Sequence, residues 1–208
     1  GESAVRLWNS KDGAEVGRLD GHEHPLRAVS ISHDGRLLAA AGVDTRILVW
    51  DLKSRKLRQI FFGATGAVNA LAFSPDDRLL ASASDGASVM VFETGTGRLA
   101  QTLRGHTGAV DALAFSADGT MLACAGEDAT VRIWDPATGQ ERRTLARHAA
   151  PVRTLAFSAD GEVLASGGED ADATRGDLDI RPRLGPNDVA GHHVGPLHGQ
   201  IGRIGHSL

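Results

Sequence analysis

The chain has 208 residues, 41% of them hydrophobic and 23% charged, with a formal net charge of −4 and a single cysteine. That size holds one domain or two small ones, and the composition supplies a real core. The mild acidity with scattered arginines gives no polyanion-binding surface, Cys124 alone cannot form an internal disulfide, and no apolar run reaches membrane-spanning length or forms a signal-peptide core.

Residues 1–20 hold an apolar run ending in Trp8, a polar turn Asn9-Ser10-Lys11-Asp12-Gly13, and a second run at 14–19. Two short strands joined by a glycine turn fit that pattern. Residues 21–62, 63–104 and 105–146 then repeat one unit. Trp8, Trp50, Phe92 and Trp134 stand 42 residues apart, as do Gly21-His22, Gly63-Ala64, Gly105-His106 and Arg147-His148. A period of that size marks a repeat architecture. Each unit reads as four short strands; in the third they fall at 110–115, 121–125, 130–134 and 140–145, with turns at Asp118-Gly119 and Asp135-Pro136-Ala137-Thr138-Gly139. Four antiparallel strands cannot bury both faces alone. Units therefore stack face to face, with Ala39, Ala81, Ala123 and Ala165 where the sheets approach, as in propeller blades.

Residues 147–170 begin a further unit, the first half of a blade, as residues 1–20 are the second half of one. The period fails after Asp170: Gly176 stands where the aromatic is due. Residues 171–208, rich in Gly, Pro and His, read as an irregular or disordered tail, either a natural extension or the product of a reading-frame change. Its His192, His193, His198 and His206 lack the spacing of a metal site. No nucleotide, metal or nucleophile motif occurs, so catalytic residues, cofactors and metals are expected to be absent.

With its Gly-His starts and Trp-Asp ends, the chain resembles the WD-repeat β-propeller family over about residues 1–170. The resemblance implies an all-β fold of four-stranded blades. It also implies a His, Ser/Thr, Asp, Trp set that ties each blade internally. The positions that match are His22, Asp44 and Trp50, with Ala40 for the hydroxyl; His106, Asp128 and Trp134, with Cys124 for it; and His148, Ser166 and Asp170 without a Trp. The second unit offers Ser82 and Asp85, one place early, with Ala64 and Phe92. Such a set can look like a catalytic triad, but its serine lies inside a strand and is committed to its neighbours. Trp134 is expected to be buried with its N–H towards Asp128 and His106.

The resemblance places partner binding on one rim, at Arg27, Asn69, Asp111 and Arg153 with Val43, Ser84, Glu127 and Glu169. It implies a non-catalytic scaffold for a protein or peptide. The mixed rim charges disfavour nucleic acid, the lack of a long apolar run disfavours a membrane, and the lone cysteine fits a reducing compartment, so a cytoplasmic location is expected. Two alternatives stand beside it: the regulatory propeller of a larger enzyme (a kinase, protease or nucleotide-binding protein), and a non-functional truncated propeller. Three units and two halves could close as four blades, at the low end of the usual range. We expect instead an open arc whose exposed ends invite self-association or require further sequence.

Overall fold

The computed structural model describes residues 3–170, all of whose regular structure is antiparallel β-sheet. The tail at 171–208, with its four histidines, lies outside the described residues. A two-stranded hairpin, β1 (Val5–Trp8) and β2 (Glu15–Leu19), comes first. Three four-stranded blades follow. The first is β3 (Leu26–Ile31), β4 (Leu37–Gly42), β5 (Ile47–Asp51) and β6 (Lys56–Phe61). The second is β7 (Val68–Phe73), β8 (Leu79–Ser84), β9 (Ser88–Glu93) and β10 (Leu99–Arg104). The third is β11 (Val110–Phe115), β12 (Leu122–Gly126), β13 (Val131–Trp134) and β14 (Glu141–Leu145), each strand within a residue of the sequence expectation. A second hairpin, β15 (Val152–Phe157) and β16 (Leu164–Gly168), ends the described chain.

Burial explains the composition of each strand. The second strands β4, β8 and β12 lie between two neighbouring blades and are covered on both faces, so after one or two opening leucines they read as runs of small residues: Ala39, Ala40, Ala41, Ala81, Ala83, Ala123, Cys124 and Ala125 are fully buried. Larger side chains there would hold the sheets apart. The outer strands β6 and β14 are mostly solvent-facing and carry most of the charged and amide residues of their blades' strands. Four apolar clusters join the successive sheets. Val5 and Leu19 pack on Leu38, Leu48 and Trp50; Ile47, Val49 and Phe61 pack on Phe73, Leu80 and Phe92; Val89, Val91 and Leu103 pack on Leu122 and Trp134; Val131 and Ile133 pack on Val152 and Leu164.

One turn is rebuilt in every unit. Ser32, Ser74, Ser116 and Ser158 each donate the hydroxyl to the aspartate two residues on (Asp34, Asp76, Asp118, Asp160) and accept the backbone N–H where the next strand starts, from Leu37, Leu79, Met121 and Val163. These bonds hold the Asp34, Asp76 and Asp118 carboxyls below the ordinary range. In the second blade the left-handed position of this turn is Asp77 rather than glycine, and its carboxylate accepts the backbone N–H groups of His33 and Asp34 in the first blade.

The first strands β3, β7, β11 and β15 follow one another along the inside of an arc. The arc is open: β1–β2 and β15–β16 form separate two-stranded sheets.

Candidate binding rim and the histidine networks that frame it

Each of the inner strands carries a register break beside its second residue, and the residues skipped are Arg27, Asn69, Asp111 and Arg153. A bulge leaves one residue unpaired and re-aims its side chain. Here it turns all four towards one rim, where they form a continuous ladder across the blades. Arg27 donates to Asn69 Oδ1 at 2.7 Å and to Asp85 at 3.3 Å. Asn69 Nδ2 donates to Asp85 at 2.8 Å and reaches Asp111 and the Val110 carbonyl at 3.3 Å. Arg153 pairs with Asp111 and donates from Nε to Glu169 at 2.8 Å, contacts that raise its already high pKa. Val43 and Glu127 are exposed beside this ladder.

Two expectations for the second blade need correction. Ser84 is not a rim residue: it is 3% exposed, within β8. Asp85 is not a displaced member of a histidine network. It occupies the rim place of Val43, Glu127 and Glu169, and like theirs its backbone N–H bonds the carbonyl two residues before the bulged residue of the inner strand (Ala67, against Pro25, Ala109 and Pro151). The residue matching Asp44, Asp128 and Asp170 is Gly86. A Cβ there would come within 1.9 Å of Thr65 Oγ1, so an aspartate would force Thr65 to move. With Ala64 and Phe92 in the other places, this blade has no network, and Phe92 instead packs its ring 5.1 Å from Phe61. Ser82 remains, buried.

The other histidines are anchored just below the rim. His106 Nδ1 lies 2.9 Å from Asp128, and Nε2 lies 3.2 Å from Cys124 Sγ. The buried Trp134 donates its indole N–H to Cys124 Sγ at 3.1 Å, so its partner is the sulfur rather than Asp128 or His106. The thiol does fill the hydroxyl's place, because the indole needs only an acceptor. Burial pushes Cys124 up to about 12, an inert thiol. Burial also lowers the His106 pKa, only partly offset by Asp128. Burial pulls Asp128 upward, but the Thr107 N–H, Thr130 and His106 outweigh it and keep this carboxyl low.

His22 lies 2.8 Å from Asp44 and, with Ala40 lacking a hydroxyl, points Nε2 at the Ala40 carbonyl at 3.1 Å; Trp50 packs beside its ring. His148 lies 2.7 Å from both Asp170 and Ser166 Oγ. That geometry is a triad on paper, but Ser166 is buried within β16 and no indole completes the set.

At the opposite end of the inner strands, Phe73, Phe115 and Phe157 line a concave cavity of about 340 Å³ with His33 and Pro75. Sequence reading missed it, although the three phenylalanines keep the 42-residue step. Among the described residues no three His, Cys, Asp or Glu side chains are grouped to hold a metal, and no helix is long and apolar enough to cross a membrane.

Comparison with known proteins agrees with this architecture. The profile of the WD domain, G-beta repeat (WD40) matches at residues 13–51, 55–93, 97–135 and 139–173. Each match begins one strand before a blade, so sequence repeat and structural blade are offset. Similar stretches occur in Pre-mRNA-processing factor 19 homolog 2 of Arabidopsis thaliana, 42% identical over 57 residues (27% of this chain, 10% of that protein). WD repeat-containing protein SL1-17 of Schistosoma mansoni is 54% identical over 39 residues (19% and 13%). Small ribosomal subunit protein RACK1y of Oryza sativa subsp. japonica is 36% identical over 56 residues (27% and 17%). The chain thus spans only 10–17% of the length of these relatives.

Proposed function

The chain belongs to the WD40 family, and from that premise we propose that it is a non-catalytic scaffold whose bulge-borne rim binds an extended segment of a protein partner. The carrying observation is the ladder itself. Four residues of three chemistries (two arginines, an amide and a carboxylate), 42 positions apart, are aimed at one surface by the same backbone irregularity. Their pairs are solvent-exposed, and exposed ion pairs contribute only about 0–1 kcal/mol each. A peptide that offers both carboxylate and amide or cationic groups can exchange with them at little cost. Mixed charge along the ladder gives orientation rather than the uniform positive field that nucleic acid needs.

The test selects peptides from a displayed library against the whole chain and measures their affinity by fluorescence anisotropy. Asp111→Arg and Arg153→Glu should each weaken binding at least about tenfold, since each breaks a fixed charge pattern. Arg78→Glu, on an exposed turn at the other end of the blades, should leave it unchanged. Peptides indifferent to both rim changes, or sensitive to the control alone, would refute the assignment.

A further inference from the structure

The outer edge of the first blade departs from the repeat. In the second and third blades the acid at the end of the third strand pairs with a cation of the strand that follows, Glu93 with Arg98 and Asp135 with Arg142. In the first blade Asp51 stands at that place and accepts instead from the Ser54 N–H and hydroxyl, both at 2.7 Å. The stretch Lys53-Ser54-Arg55-Lys56-Leu57-Arg58 is left with four cations and no acid, in a chain that is acidic as a whole. All four cations are exposed, and none forms an ion pair among the described residues. Arg58 is also the residue skipped by the register break between β5 and β6, so it is unpaired in the ladder.

Beside these charges the same edge is apolar. Leu57 is 45%, Ile60 37% and Phe62 65% exposed. Their counterparts at the 42-residue step are Leu99, Thr102 and Arg104 in the second blade and Glu141, Thr144 and Ala146 in the third. Only the first blade thus presents three large apolar side chains here. Both neighbours of β6 are in place. Phe61 packs on the second blade, and on the other side Arg55 reaches β2, where a Cβ on Gly17 would come within 2.9 Å of its guanidinium. β6 is the last strand of its sheet, so the backbone N–H and C=O groups on its outer side face no strand among the described residues.

Cations on an edge strand ordinarily repel a second edge. Here they select one. A strand that carries carboxylates gains charge pairs that a neutral or basic strand lacks, and apolar residues between them cover Leu57, Ile60 and Phe62. A second copy of β6 has no carboxylate and leaves the charges unanswered. We propose that β6 is a second docking edge, which takes up an extended acidic segment of a partner protein as a fifth strand of the first blade. The segment's carboxylates face Lys53, Arg55, Lys56 and Arg58, and its apolar side chains lie over Leu57, Ile60 and Phe62. With β4 and β5 between this edge and the inner strand β3, the inference is independent of what the rim binds.

The experiment selects random displayed peptides of about ten residues, the length of a long strand, against the whole chain and measures each by fluorescence anisotropy. A class with aspartate or glutamate alternating with apolar residues is expected. Lys56→Glu and Phe62→Ser should each raise its dissociation constant at least about tenfold. Both residues are exposed, so circular dichroism should not change. Binding should weaken with added salt. Arg104→Glu, at the place of Phe62 in the second blade, should leave it unchanged. Asp111→Arg sorts out peptides held by the rim, so failure at this edge and failure at the rim are read separately. Methylating alternate amide nitrogens of a selected peptide should abolish binding in one register and spare it in the other, because an added strand bonds along one side. A library that yields no acidic class, an acidic class indifferent to Lys56→Glu and Phe62→Ser, or tolerance of methylation in both registers would overturn the proposal. So would sedimentation of the chain with vesicles of phosphatidylcholine and phosphatidylserine that Phe62→Ser abolishes, since the occupant would then be an anionic membrane.

Discussion

The second and third blades have the same four strands, the same register break and the same buried second strand, yet they are held differently inside. The third has His106, Asp128, Cys124 and Trp134 linked by hydrogen bonds; the second has Ala64, Gly86, Ser82 and Phe92, with an aromatic contact in place of the network. A blade therefore does not need the polar set in order to form. What both share is burial between neighbours, through Ala81, Ala83 and Leu80 in one and Ala123, Ala125 and Leu122 in the other. The hydrophobic term scales with the apolar area removed from water and is largest there. The network adds orientation and a modest increment of stability to a structure already specified.

That comparison predicts its own largest effect. Trp134→Ala removes both a buried ring and the indole donor, and should cost about 3–5 kcal/mol. Phe92→Ala, which removes only apolar contact, should fall in the same range, because packing dominates in both blades. Urea denaturation of the two variants checks this. A tryptophan variant far costlier than the phenylalanine one would show that the polar set carries the third blade.

Next in size come two changes at one register position. Asp128→Ala leaves the Thr107 and Thr130 N–H groups and the His106 ring without their acceptor, at about 1–3 kcal/mol. Gly86→Asp, which gives the second blade the third's residue, should be destabilising by about 1–3 kcal/mol, because Thr65 occupies the space. Thermal melts in which Gly86→Asp stabilises the chain would show that Thr65 turns aside and that the network can be restored.

Much of this was legible in the sequence. The 42-residue step located every strand to within a residue, because turns and buried faces repeat together. The slip at Asp85 came from seeking an aspartate by type; counting 42 from Asp44 lands on Gly86 and would have put Asp85 with Val43, Glu127 and Glu169. The resemblance put Arg27, Asn69, Asp111 and Arg153 on one rim, but the contacts that link them into a ladder were not legible. They depend on bulges and on the curvature that brings Arg27 to Asn69 and Arg153 to Asp111, neither of which composition or period encodes. The sulfur as acceptor for Trp134 was likewise hidden, since a thiol in a hydroxyl's place reads as a defect until the distance is known.

A smaller effect is pH-dependent and separates the blades again. Burial holds the folded His106 pKa below its ordinary 6.5, so below that pH the unfolded chain binds the proton first. Stability is present above 6.5 and is lost as pH falls through the lower folded value. Asp128, also held low, adds loss in the same direction only below about 3.8. Between pH 7 and 4.5 the wild-type urea midpoint should fall more steeply than that of His106→Asn, which has no ring to protonate. Equal slopes would place the acid sensitivity elsewhere.

The smallest effect expected is at Cys124, and it asks whether the network needs a hydroxyl at all. Cys124→Ser substitutes an oxygen that can both accept the Trp134 N–H and donate to His106, as Ser166 donates to His148. The oxygen is smaller than sulfur, so a gain of a few tenths of a kcal/mol in hydrogen bonding is set against lost contact in a fully buried site. The net change should stay within about 1 kcal/mol of wild type. Cys124→Ala is the informative contrast. It leaves a buried indole N–H without an acceptor and should cost about 1–3 kcal/mol. Ser82→Ala, at the matching place in a blade with no indole and no histidine, should cost under about 0.5 kcal/mol. A ranking of Cys124→Ala above Ser82→Ala, with Cys124→Ser near zero, identifies the indole's acceptor as the element that distinguishes the third blade. If the two alanine variants cost the same, the hydrogen bond to sulfur contributes nothing measurable, and packing alone holds both blades.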